Sequence, residues 1–71
     1  MNNARRRSIG EICDKIDGII EKLNDILSEE QDSCENMISD LQRDLSEEAQ
    51  ECIDDAVNSL SEAVEYLREV L

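Results

Sequence analysis

From Ile9 onward the apolar residues return every seven positions, and this repeat constrains the fold more than any other feature of the chain. Ile9, Ile16 and Leu23 form one row, Ile12, Ile19 and Ile26 the next, and Cys13, Ile20, Leu27 and Cys34 widen the stripe. Three apolar positions in seven is the pattern of an α-helix burying one face in a bundle. A second stretch repeats it. Ile53, Leu60 and Leu67 form one row, Ala49, Ala56, Ala63 and Val70 the other, with Val57, Val64 and Leu71 widening it.

Between the two stretches Ile38, Leu41 and Leu45 are out of phase with both repeats. The phase break predicts a connection at about 38–45 joining a helix over about 8–36 to one over about 46–70. The alternative is a single helix over 33–71 with a stutter, since no Gly or Pro forces a break there. Ser8 followed by Glu11 is a capping-box signature and places the first helix start at Ser8, leaving 1–7 as a polar basic arm. Ser46, followed by Glu47 and Glu48, is the expected start of the second helix. Gly10 and Gly18 fall outside the stripe, where they lower helix propensity without opening a core hole.

The expected fold is therefore all-α: an antiparallel two-helix, coiled-coil-like hairpin forming one small domain over 8–71. The core must be aliphatic, because Phe and Trp are absent and Tyr66 is the sole aromatic residue. A chain of 71 residues buries little apolar surface by itself. Two helices also shield only one side of each wide stripe. Dimerisation into a four-helix bundle follows as the simplest expectation.

Charge is as unevenly laid down as hydrophobicity is regular. The first 22 residues carry five basic and four acidic groups; Leu23–Leu71 carries two basic and fifteen acidic ones. Twelve carboxylates lie between Asp25 and Asp55, with Arg43 the one cation among them. No apolar run matches a membrane span or a signal-peptide core, so a cytoplasmic, membrane-free protein is expected. Three widely spaced cysteines, Cys13, Cys34 and Cys52, fit a reducing compartment and read as small buried hydrophobes.

Catalytic chemistry finds little to work with. Histidine is absent, removing the commonest general base and metal ligand. The cysteines lack CxxC spacing, the acids lack a glycine-bearing calcium loop, and a narrow helical pair offers no pocket to shift a carboxylate pKa. The chain is read as non-enzymatic, with no cofactor and no metal. Arg5, Arg6 and Arg7 are too few to hold nucleic acid against the acidic remainder, and they are expected to offset Glu65 and Glu69 across the hairpin. The acidic surface is the functional candidate: Glu29, Glu30, Asp32, Glu35, Glu47, Glu48, Glu51, Asp54 and Asp55, complementing a basic groove on a protein partner.

The opening Met1-Asn2-Asn3-Ala4-Arg5-Arg6-Arg7, the break at Glu29-Glu30-Gln31 and the later Glu35-Asn36-Met37 resemble small uncharacterised acidic helical proteins. Phages and mobile elements of Gram-positive bacteria encode that group. The similarity continues through Leu41-Gln42, Ser46-Glu47 and the Ala/Ile/Leu repeat to Tyr66-Leu67. The group has a proline after the Asn-Met pair where this chain has Ile38, which supports a turn there. The resemblance implies the cytoplasm of a bacterial host cell. It also implies an inhibitor of a host defence nuclease or CRISPR effector acting by nucleic-acid mimicry. The alternative from the residues themselves is an assembly module whose apolar seam meets a partner helix.

Overall fold

The computed structural model describes residues 1–71 as two antiparallel helices, α1 (Asn3–Glu35) and α2 (Asp40–Arg68), joined by a tight connection at 36–39. The hairpin is a rod of 56 × 15 × 10 Å. Its radius of gyration is 16.5 Å, against about 11 Å for a compact globule of this length. No helix is long and apolar enough to cross a membrane.

The seam between the helices alternates steps of four and three, as in a coiled coil. From α1 it takes Ile9, Cys13, Ile16, Ile20, Leu23, Leu27, Glu30 and Cys34, all buried or half-buried. From α2 it takes Ser46, Gln50, Ile53, Val57, Leu60, Val64 and Leu67, again all buried or half-buried. Only Cys13, Ser46, Val57 and Val64 are fully buried. Two helices cover one another from a single side, so most seam residues keep one flank in solvent.

The seam is displaced by one row from the sequence expectation. Ile12, Ile19 and Ile26, expected at the centre, stay 48–50% exposed, and the Cys13 row lies inside. Ala49, Ala56, Ala63 and Val70 are also exposed, while Val57 and Val64 are buried. The physical reason is in α2. Its alanines are too short to cover an isoleucine row, so α2 turns its Val57 and Leu60 rows inward, against the Cys13 and Ile16 rows of α1.

Both helix starts lie earlier than the sequence reading places them. Asn2 caps α1, its Oδ1 accepting from the Arg5 N–H at 2.8 Å. Residues 3–7 are thus helix, not an arm. Ser8 is already a turn and a half inside, where its hydroxyl donates to the Ala4 carbonyl. Ser39 caps α2, its Oγ accepting from the Gln42 N–H, with Asp40 at the positive end of the dipole. Ser46 is a buried mid-helix residue, not a cap.

The continuous 33–71 helix is excluded by the break at 36–39, which needs neither Gly nor Pro and no positive φ. Side chains satisfy the loose carbonyls. Asn36 Nδ2 donates to the Asp32 carbonyl at 3.0 Å, and Arg43 Nε donates to the Met37 carbonyl at 2.8 Å. Leu41 and Leu45 belong to α2 but point outward, at 67% and 59% exposure.

Asp17 and Arg68 form the one ion pair, and it sets the register at the open end. In that register the first turns of α1 overhang the end of α2. Arg5–Arg7 therefore pair with neither Glu65 nor Glu69, contrary to the expectation.

A Cβ built on Gly10 or Gly18 meets nothing within 4 Å, and neither glycine has a positive φ. Gly18→Ala should therefore stabilise the hairpin by about 0.5–1 kcal/mol, read as a rise in the midpoint of thermal unfolding by circular dichroism. In the same assay Asn2→Ala should cost about 1 kcal/mol and Ser8→Ala distinctly less. A larger loss from Ser8→Ala would return the cap to Ser8.

Candidate functional site

The connection folds the acids of α1 alongside those of α2. Ser46 of α2 bonds to Glu30 of α1, and the Cys34 thiol lies 4.0 Å from the Arg43 carbonyl oxygen. Residues 25–35 and 40–55 therefore share the same half of the rod. That half holds twelve carboxylates and Arg43, a net charge of −11. At the helical rise, residues 40–55 span about 24 Å, giving one net charge per roughly 2 Å, close to the value of about 1.7 Å for duplex DNA.

The nine candidate acids share this half without sharing one face. Glu35 and Glu47 line a shallow open depression with Gln31, Cys34, Arg43 and Gln50. Glu51 and Asp54 line the next one, beside Leu27, Gln31 and Gln50. These four acids lie on the side of the seam that carries the Asp17–Arg68 pair. Glu48 and Asp55 ride on the outer edge of α2, and Glu29 and Asp32 on that of α1. All eight are exposed and none forms an ion pair.

Glu30 is the exception. It is half-buried on the opposite side of the seam, with Met37, Gln42, Leu45 and Ser46 around it. Its Oε1 accepts from Ser46 Oγ at 2.7 Å, and Ser46 Oγ accepts in turn from Gln50 Nε2 at 3.2 Å. No buried side-chain polar atom is left without a partner. Glu30 is therefore committed to holding the helices together, and its charge is less free for a partner than the other eight.

Ser46, Gln50 and Arg43 are structural residues of this region that lie outside the predicted acidic set. A signal existed: Ser46 and Gln50 stand seven residues before Ile53 and Val57, on the two rows that form the seam. The polar stretch of seam coincides with the most acidic part of the rod. There, hydrogen bonds and not aliphatic packing set the register, a role for which buried polar groups in coiled coils are well suited.

No three acidic or cysteine side chains converge closely enough to hold a metal ion. The three cysteines are free thiols: Cys13 is buried, Cys34 half-buried and Cys52 exposed, so only the first fits the buried-hydrophobe reading fully. Ser46→Ala should cost about 1 kcal/mol in urea unfolding, because Glu30 and Gln50 both lose a partner. Glu48→Ala, on the outer edge, should change stability by less than about 0.5 kcal/mol. Equal effects would mean that the Glu30–Ser46–Gln50 chain is not structural.

Comparison of the chain with known protein families, curated proteins and solved structures found no match.

Proposed function

We propose that this protein is a non-enzymatic acidic binder that occupies, and so inhibits, a basic groove on a nucleic-acid-handling protein. The observation that carries this reading is the linear charge of the acidic half. Its net charge of −11 is fixed on a rigid rod at nearly the spacing of DNA phosphates. Apart from Glu30, those carboxylates are exposed and have no cation paired to them. Charge left unpaired by the fold is available to a partner, where it steers encounter and is felt over about a Debye length.

The resemblance to small phage and mobile-element proteins makes a host defence nuclease or CRISPR effector the partner class to try first. A second reading, an assembly module meeting a helical partner through apolar contacts, draws on the half-exposed Ile12, Ile19 and Ile26.

Capture from bacterial lysate by tagged protein, followed by low- and high-salt washes, separates the two readings. A nuclease or DNA-binding protein released by salt is the expected result. The Glu47→Lys, Glu48→Lys, Glu51→Lys variant should keep its helicity, lose that partner and no longer inhibit it. Unchanged capture and inhibition by the variant would overturn the acidic-surface reading. A helical partner retained at high salt would favour the second.

A further inference from the structure

The face of the rod opposite the Asp17–Arg68 pair has no covering. With the seam positions labelled a and d, Asp17 and Arg68 both take e, and they meet on one side of the hairpin. Ile12, Ile19 and Ile26 take g in α1, and Ala49, Ala56, Ala63 and Val70 take g in α2. In an antiparallel pair the two g rows flank the same side. Ile12, Ile19 and Ile26 are 48–50% exposed and Val70 39%, so together with the alanines they make one apolar strip along the hairpin. The edge of α2 beside this strip adds Leu45, Cys52 and Tyr66, all exposed.

We propose that a second copy of this chain covers this strip, in a two-fold dimer whose turns lie at opposite ends. Three observations point to that occupant. The first is area. The hairpin exposes 5497 Å², whereas a compact monomer of its mass exposes about 4,500 Å². The excess of about 1,000 Å² is comparable with the roughly 800 Å² that each partner buries in a stable interface.

The second is charge. Five of the seven basic residues lie in the first 22, at the open end, and the net −11 lies at the turn end. Two such rods repel most when their turns lie together and least when each turn meets the other's open end, which nets −1 and carries Arg5–Arg7. The third is the overhang. Arg5–Arg7 stand past the end of α2 with no ion-pair partner, at a helix N-terminus where cations are unfavourable.

A two-fold axis beside Ile19 resolves these together. It sets Ile12 against Ile26 of the second copy and brings Arg5–Arg7 level with the stretch of α1 holding Glu29 and Asp32 of the second copy. Arg5, which continues the row of Ile12, then meets carboxylates, and the isoleucine rows cover each other. The e-face acids, Glu47 and Asp54, with Glu35 and Glu51 beside them, stay outside. The dimer draws on Glu29 and Asp32 from the candidate acids and leaves these four free for the proposed partner.

Light scattering and sedimentation at tens of micromolar should give twice the chain mass of 8.1 kDa. Ile19→Glu should give single chains, and Asn24→Glu, on the opposite face, should remain dimeric. The Arg5→Glu, Arg6→Glu, Arg7→Glu variant touches no seam residue, so hairpin folding is spared; its dimer should weaken about tenfold or more. Adding Glu29→Arg and Asp32→Arg to that variant should restore association, because in this orientation the reversed pairs meet again. A single-chain mass throughout would overturn the proposal. So would an Ile19→Glu dimer, or an arginine-reversed variant that associates as tightly as the native chain.

Discussion

Everything in this molecule depends on a single seam between two helices. A helix in a larger bundle is covered from two or three sides, whereas each helix here is covered from one. That leaves Cys13, Val57 and Val64 as the whole of the fully buried apolar core. The same geometry leaves the isoleucine and alanine rows outside and makes the protein a rod. Stability then rests on many half-buried Ile, Leu and Val side chains, on two good helix caps and on a well-fastened turn. None of these is large alone, as is usual for domains of this size.

The seam also changes character along its length. Over most of the rod it is aliphatic; toward the turn it becomes Glu30, Ser46 and Gln50, joined by hydrogen bonds. The acidic carboxylates of the two helices are crowded together along this same stretch and repel one another. Hydrogen bonds at the seam, with Arg43 fastened to the Met37 carbonyl, hold the helices in register against that repulsion. Departures from ideal local design concentrate where a protein acts. Their coincidence here with the unpaired charge supports the reading of the turn end as the working end.

Much of this was legible in the sequence, and the parts that were not have identifiable causes. The seven-residue repeat gave two helices, because Ile9 to Cys34 and Ile53 to Leu67 keep phase without interruption. It did not give which row faces inward, since a stripe three rows wide is consistent with more than one rotation. The Ile12 row reads as a seam row and the Cys13 row as its flank, whereas in the fold the Cys13 row lies inside. What decided the rotation was the size of the opposing α2 side chains, which is a property of the pair. The connection lies earlier than the phase break suggests, because Leu41 and Leu45 are helical yet face solvent. Ser8 and Ser46 carry good capping signatures, but Asn2 and Ser39 fill the cap positions in the folded chain. The clustering of the acids near the turn was plain from their order in the chain, and the commitment of Glu30 to Ser46 was not, because it depends on the register.

The central functional claim is that the acidic half of the rod stands in for nucleic acid in a basic groove. It is tested most directly by competition on the captured partner, with labelled duplex or single-stranded DNA bound first and this protein titrated in. The account predicts mutual displacement, with an affinity for the protein that falls steeply as salt rises. A ternary complex, in which the partner holds DNA and this protein together with neither weakening the other, would contradict it.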